Sequence, residues 1–386
     1  VIPTRQVLER LEFDYTDSEG KTVHVPGYDA GELDFLDRLR KLSDSIRDPA
    51  TRIREGRKVV KAFWPDELER FQKTSLILNK RGRPQLFWLN GAQKRFWNDV
   101  LMESRRLKRP CRVIVLKARQ LGFSTLMQNL HFFWSNENPY RNSLTVSYDE
   151  DSTVFLFGKA KFNHEWQFFP LPTASDSMTH LQFKESGGED NSGIGYGSMF
   201  KTITANNTKA ARSYTFQHVH LSEVAFWQNP EIVYNGIDQT VMMIPETTIC
   251  LESTAKGQDG FFYDTWTLAE SGDGITPFFA PWFWDPEYQL PFASADHRRR
   301  WLRGMSPEDR EYMGKHSLTP EQMNWRHQKI NMGFSGNRLE FRQEYPATAQ
   351  EAFLSTGRSA FDPDAIEMLA RQTRDPRFRA EIQLEV

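Results

Sequence analysis

Cysteine is nearly missing from this chain: Cys111 and Cys250 are the two in 386 residues. That excludes a disulfide framework and a Cys-based metal site, and it suits a reducing compartment. Long apolar runs are missing too, since none approaches the roughly 20 residues needed to span a bilayer. The opening Val1-Ile2-Pro3-Thr4-Arg5 lacks the charged and apolar blocks of a signal peptide. It also lacks an initiator methionine, so the numbering is expected to begin inside a longer product. Charge of one sign is lacking: 49 Lys and Arg stand against 51 Asp and Glu, a net charge of −2. A uniformly basic protein is thereby excluded, but a local basic surface for nucleic acid is not. No repeat of fixed period occurs.

The hydrophobic content of 39% and charged content of 26% are those of a folded soluble protein. The length fits two or three units. Residues 1–60 are highly charged, with helical spacing in Leu33, Phe35, Leu36, Leu39 and Leu42. Their basic residues, Arg52, Arg54, Arg57, Lys58 and Lys61, read either as a solvated face or as a contact with DNA or a partner. From about 84 to 275, short apolar runs alternate with helix-like segments, the pattern of an α/β sheet. The runs are 111–116, 143–147, 216–221 and 247–251. Two further alternating segments, 180–184 and 199–204, flank the glycine-rich stretch Gly187–Gly197. That stretch joins two strand patterns and reads as a hairpin loop. The aromatic run Phe278–Trp284 predicts one more strand with its turn. Ser306-Pro307 and Thr319-Pro320 then predict helix starts, with a hydroxyl at the N-cap and proline at N1.

The segment richest in chemistry is Val113 to Thr125. A phosphate loop needs a strand, a tight turn of backbone amides and a helix whose N-terminus faces the anion. It also needs a cation near the outer phosphates and a hydroxyl for magnesium, usually spaced G-x-x-x-x-G-K-[ST]. Here Gly122 and Ser124 take the second glycine and the hydroxyl, Lys117 takes the first glycine slot, and Phe123 takes the lysine slot. The phosphates keep their cation only if Lys117 reaches over the loop from its other end, with Arg119 as a second candidate. About a hundred residues on, the run ending at Leu221 leads into Ser222-Glu223, where such domains place an acidic pair. Glu223 is the candidate to orient or deprotonate the attacking water. Ser222 stands where the magnesium-side acid usually is. The run 247–251 leads into Glu252-Ser253-Thr254; Ser-Thr after a strand reads on its own as a turn, but following the first two motifs Ser253 and Thr254 are placed to sense the γ-phosphate. His218 and His220 share a strand face, but no third ligand lies at useful spacing, so a zinc site is not expected.

Together these residues resemble the ATPase domain of the large terminase subunit of tailed bacteriophages. Lys117-Ala118-Arg119-Gln120-Leu121-Gly122-Phe123-Ser124-Thr125 looks like a deviant Walker A in which lysine opens the loop. His220-Leu221-Ser222-Glu223-Val224-Ala225-Phe226-Trp227 resembles the matching Walker B region. Glu252-Ser253-Thr254-Ala255, with Gly257, Gly260 and Phe261-Phe262-Tyr263, looks like the coupling motif. Phe341-Arg342-Gln343-Glu344-Tyr345-Pro346, with Glu351-Ala352-Phe353, resembles the stretch that closes the motor half. The likeness covers about 85–365, with the motifs in family order.

The resemblance implies an α/β P-loop NTPase of ASCE type, with a mainly parallel central sheet flanked by helices and a small helical lid or linker subdomain. The expected organisation is a charged helical arm (1–60), an ATPase core (61–275), a lid or linker (276–355) and the start of a link to a nuclease domain (356–386). The family's RNase H-type nuclease is expected to be absent from this chain, and no nuclease activity is expected. The resemblance further implies ATP and Mg²⁺ as ligands, with Ser124 and Ser222 on the metal side. Gln93 would read adenine, unless it is a plain helix glutamine, and Arg212 would act on the γ-phosphate, unless it is a surface or ion-pair arginine. The implied partners are double-stranded DNA, the portal protein of the procapsid, the small terminase subunit and further copies in a ring, a pentamer on the portal, with no membrane. The implied location is the host cytoplasm. DNA grip would be independent of sequence, through phosphate contacts. Arg105, Arg106, Lys108 and Arg109, or Arg298, Arg299 and Arg300, are candidates, although each cluster reads first as a plain solvated patch. Two other readings stay open: a helicase or other translocase on the same core, and an assembly protein that binds nucleotide without turnover.

Overall fold

The computed structural model of the chain describes residues 2–16, 22–184, 196–207, 213–272 and 274–353. Two small antiparallel hairpins come first, β1 (Phe13–Thr16) with β2 (Thr22–Val25) and β3 (Leu76–Leu78) with β4 (Pro84–Leu86). Eight strands form the central sheet: β5 (Cys111–Lys117), β6 (Ser143–Ser147), β7 (Thr173–Asp176), β8 (His180–Phe183), β9 (Met199–Thr204), β10 (His218–Ser222), β11 (Thr248–Ser253) and β12 (Thr276–Ala280). Their spatial order is β12-β5-β11-β10-β6-β9-β8-β7. Every pairing from β12 to β9 is parallel, and β8 and β7 extend the β9 edge as antiparallel strands.

The central parallel strands are buried on both faces. All seven residues of β5 are buried, as are all of β6, β10 and β11. The chain leaves β5 through the helix Phe123–Glu137, crosses to β6, and only later returns to place β10 and β11 in the gap. One strand, β11, thus separates the strand that leads into the glycine turn from the strand that ends at Ser222-Glu223. This is the ASCE arrangement expected from sequence. In such sheets the crevice at the carboxyl ends of the strands takes the ligand.

Side-chain alternation then builds two cores. One packs Val113, Val115 and Cys250 beneath the helix Phe123–Glu137, and the other packs Ile114, Leu116, Ile249 and Leu251 on the opposite face. The helix is buried at every position from Leu126 to Asn136. An all-round buried helix needs cover on its far side, and the N-terminal segment supplies it. Arg57 donates to the Phe169 carbonyl at 3.2 Å and pairs with Glu137 at 3.0 Å, while Arg70 reaches Glu137 at 3.2 Å. A Cβ on Gly56 would lie 2.2 Å from the Phe169 ring, so glycine is what lets this helix approach. Arg52 caps the Ile46 carbonyl at 2.7 Å, whereas Arg54 and Lys58 pair with Glu55 on the exposed side. The N-terminal basic residues therefore split between packing and a solvated face.

The strand expected at 216 begins at His218, and Phe216 contributes a single bridge to Val241. The predicted hairpin of β8 and β9 forms, but most of its glycine-rich loop, residues 185–195, lies outside the described residues. After β12 come the helices Ala295–Gly304, Pro307–Lys315, Pro320–Gln328 and Arg338–Glu344. The Ser306 and Thr319 hydroxyls accept from the Asp309 and Gln322 amides, both at 3.1 Å, as the sequence predicts. Met323, Phe341 and Tyr345 from this segment join the first core. No helix among the described residues is long and apolar enough to cross a membrane.

Candidate nucleotide site

The turn from β5 into its helix is tightly braced. Gln120 (φ 57°) and Gly122 (φ 76°) are both left-handed, which reverses the chain within a few residues. The backbone amide of Ala118 still bonds to the Ala280 carbonyl at 3.0 Å, and that of Arg119 bonds to the Glu344 carbonyl at 2.9 Å. The first amides of the helix at Phe123 have no partner within their own helix, and its dipole adds positive potential. The turn is thus shaped to receive an anion.

Phe123 explains the displaced lysine. Its ring is buried and packs against Phe96 and Phe278, with centroids 5.6 and 5.8 Å away. The slot that usually points at phosphate points into the core, and the buried cation beside the turn is Lys117, at its opposite end. Gln93 is buried. Its amide donates to the Gly122 carbonyl at 2.9 Å, and its oxygen accepts from the Asn90 amide at 3.0 Å. A Cβ on Gly122 would lie 2.8 Å from Gln93 Nε2, so glycine is required there by space as well as by φ. Arg119 points the other way and pairs with Glu344, while its carbonyl accepts from the Tyr288 hydroxyl at 2.7 Å.

Lys117 Nζ lies 3.2 Å from Glu223 Oε1 and 3.2 Å from Glu252 Oε1. Burial opposes its charge most strongly, but Glu223 and Glu252 together win and hold its pKa above the usual lysine value. Ser124 Oγ donates to Glu252 Oε1 at 2.9 Å. The other carboxylate oxygen, Oε2, sits 2.5 Å from His220 Nε2. Gln128 Nε2 is 3.2 Å from His220 Nδ1 and donates to Thr145 at 2.8 Å, which fixes the imidazole from the sheet side. Glu252 is fully buried. Burial alone would raise its pKa, yet Lys117 first, then His220 and Ser124, hold it below the usual carboxylate range.

Glu223 follows β10 in a left-handed conformation (φ 57°) that swings its half-exposed carboxylate toward Lys117. The strain of a non-glycine residue in this region is characteristic of functional positions. Ser253 Oγ lies 3.4 Å from Glu223 Oε2 and accepts from the Ala225 amide at 3.3 Å. Thr254 Oγ1 is buried and makes no hydrogen bond among the described residues. Ser222 is buried, and its carbonyl accepts from the Trp227 indole at 3.0 Å. Arg212 lies outside the described residues.

Spacing in the sequence does not single out Glu252, nor the buried chain from Glu252 through His220 to Gln128. The structure brings Lys117, Ser124, Glu223 and Ser253 together around it. The Ser124 hydroxyl and the Glu252 carboxylate form an all-oxygen pair suited to a hard divalent cation. Among the described residues no group of three or more His, Cys, Asp or Glu forms a metal cage. Magnesium held mainly by phosphate and water needs only one or two protein oxygens.

Part of each basic cluster is paired with acidic neighbours. Arg105 is bidentate to Glu67 at 2.7 and 3.0 Å, Arg106 pairs with Glu103, and Arg298 reaches Glu321 at 2.8 Å. A cavity of about 470 Å³ opens beyond Glu223, lined by Val224, Trp227, Asn229, Gly257, Phe261 and Phe353 among others. None of its lining residues comes from the turn at 117–125.

Strand order and the strand–turn–helix junction place this domain in the P-loop class of α/β folds. No family model and no curated protein matches the sequence. Among solved structures, the ATPase domain of the large terminase of Thermus phage P74-26 is similar at 17% identity. The match covers 67% of this chain and 98% of that one, with a TM-score of 0.40. The large terminase of bacteriophage HK97 is similar at 14% identity, over 67% of this chain and 50% of that one, with a TM-score of 0.43. The large terminase of a further, thermophilic bacteriophage, in complex with ATP-gamma-S, matches at 10% identity, over 57% of this chain and 50% of that one, with a TM-score of 0.38. The chemistry assigned to the site rests on its own geometry.

Proposed function

We propose that this chain is the ATPase part of a large terminase, a motor that couples ATP hydrolysis to moving double-stranded viral DNA into a preformed capsid. The observation that carries the ATPase reading is the convergence of Lys117, Ser124 and Glu223. Lys117 and Ser124 flank one turn after β5, Glu223 comes from the distant end of β10, and they meet at the carboxyl ends of these strands, with Lys117 Nζ 3.2 Å from Glu223. The packaging reading rests on the order and content of the four sequence motifs.

In this reading the triphosphate lies on the turn from Lys117 to Ser124, against the helix N-terminus. The Lys117 ammonium leaves the two carboxylates for the phosphate oxygens. Glu223, released from that ion pair, orients the attacking water and takes its proton as the Pγ–O bond to the leaving diphosphate breaks. Magnesium, when bound, neutralises charge developing on the phosphates, and Ser124 is the hydroxyl placed to hold it. Arg212 would supply charge at the γ-phosphate, and Gln93 would act near the adenine end of the turn. Ser253, bonded to both Glu223 and the Ala225 amide, ties the site to the loop after β10. Gln343 donates to the Ala255 carbonyl at 3.1 Å and Glu344 holds Arg119, so one helix grips both the coupling loop and the phosphate turn. Loss of phosphate would move that helix. DNA, the portal, the small terminase subunit and neighbouring copies in a ring are the partners this function requires.

The test is steady-state ATP turnover with and without duplex DNA. The reading expects DNA-stimulated hydrolysis that falls at least a hundredfold in Lys117→Ala and in Glu223→Gln. Normal turnover in the Lys117 variant would remove the displaced lysine from the mechanism. Strand displacement from a partial duplex would favour a helicase, and nucleotide binding without turnover would favour an assembly protein.

A further inference from the structure

We infer that Glu252, on the strand between the phosphate-loop strand and the Glu223 strand, supplies the carboxylate for the nucleotide-bound divalent cation that Ser222 cannot supply. This rests on the proposed nucleotide site. Ser222 and Glu252 are register partners on β10 and β11, so they stand side by side at one level of the sheet. The acid has moved sideways by one strand, which brings it next to β5 and to the Ser124 hydroxyl.

The two oxygens of Glu252 have different tasks. Oε2 is held by His220, which is oriented from within the sheet by Gln128, itself anchored on Thr145. Oε1 faces the loop, 2.9 Å from Ser124 Oγ and 3.2 Å from Lys117 Nζ. Such support fixes a ligand's direction before any metal arrives. A packing role alone leaves one problem unsolved. When Lys117 turns to the phosphates, Glu252 loses its nearest full positive charge while fully buried. A buried carboxylate stripped of its partner is strongly destabilised. A divalent cation arriving with the triphosphate restores the balance at the oxygen that Lys117 vacates. Ser124 is already bonded to that oxygen and becomes the second oxygen donor.

The test is binding of a fluorescent, slowly hydrolysed ATP analogue, measured with magnesium and with EDTA. In the unaltered chain, magnesium is expected to tighten binding at least tenfold. In Glu252→Gln no buried carboxylate is left unpaired when Lys117 turns to the phosphates, so metal-free binding is expected to be at least as tight as in the unaltered chain, and the magnesium effect falls below about twofold. Glu252→Asp keeps the charge balance with Lys117 and His220 but retracts the carboxylate by one methylene. It is expected to fold and to lose most of the magnesium effect too. Adding Ser222→Asp to Glu252→Gln returns an acid to the neighbouring strand and should recover at least part of it. If both Glu252 variants keep the full magnesium effect, the assignment is wrong. If the unaltered chain binds no nucleotide, the proposed function fails first, and that result is distinct.

Discussion

Replacing Lys117 with alanine tests the charge balance at the site without any ligand. The ammonium is buried between Glu223, whose side chain is 36% exposed, and Glu252, whose side chain is 0% exposed. The exposed pair contributes little in water, on the order of 0–1 kcal/mol. Removing one partner from a buried pair costs about 3–5 kcal/mol, because a charge is left alone. Glu252 keeps His220 and Ser124, so the lower end applies, about 3 kcal/mol near pH 8. At roughly 2 °C per kcal/mol, the melting temperature should fall by about 6 °C.

The pH dependence carries the stronger test. In the native chain the Glu252 pKa is depressed, so its stabilising effect is present above the ordinary carboxylate pKa and is lost as pH falls through the depressed value. The raised Lys117 pKa contributes below the ordinary lysine value and is lost only as pH rises beyond it, well above the range tested. Burial is already the largest single influence on Glu252, and without Lys117 to oppose it the Glu252 pKa rises. The variant then gains stability by taking up a proton as pH falls from 8 to 5. The gap between variant and native chain should shrink to less than half over that range, as read by thermal melts at each pH. A gap of unchanged size at pH 5 and pH 8 would refute the reasoning.

Further outcomes follow from the packing. Phe123→Lys, which restores the usual lysine position, should not rescue Lys117→Ala. It places a charge between Phe96 and Phe278 and should cost at least about 3 kcal/mol in chemical denaturation. Gly122→Ala forces a Cβ against Gln93 at a left-handed φ, so a stability loss of about 1–2 kcal/mol should accompany weaker nucleotide binding in a filter assay. His131 and His218 are buried with depressed pKa values, that of His218 about 3, mainly through desolvation. Their contribution is complete above the unfolded value near 6.5 and is lost as pH falls below it, so stability should drop between pH 6.5 and 5. His131→Phe should flatten that slope in melts across the same range. Gly56→Ala should loosen the N-terminal segment against Phe169, seen as faster proteolysis ahead of residue 60.

The parts of the fold legible in sequence are those set by local pattern. Strands β5, β6 and β11 lie within two residues of the runs read in the sequence, because short β-branched and apolar stretches bounded by turn residues mark strands whether or not both faces are buried. Helix starts at Ser306 and Thr319 follow from cap chemistry that a few residues decide. The short hairpins of β1–β2 and β3–β4 and the edge strand β7 are not legible: each strand is three or four residues long and, unlike β8 with Leu181 and Phe183, buries no two alternate residues to mark it. In the site, Lys117, Ser124 and Glu223 stand out in the sequence because the roles proposed for them depend on spacing from a strand end. Glu252 cannot. Its burial and its contacts with Ser124 and Lys117 exist only because β11 sits between β5 and β10, and adjacency in a sheet leaves no mark in the spacing of one strand. Gln93 is legible as a helix residue near the loop, while its bond to the Gly122 carbonyl depends on how that helix packs.

The most direct test of the central claim is the structure of the chain with a non-hydrolysable ATP analogue and magnesium. The account predicts phosphates within hydrogen-bond reach of the backbone amides between Arg119 and Ser124. Lys117 Nζ should have turned from Glu223 and Glu252 to a phosphate oxygen. An analogue seated instead in the cavity beside Trp227 and Gly257, with Lys117 still paired to both carboxylates, would contradict it.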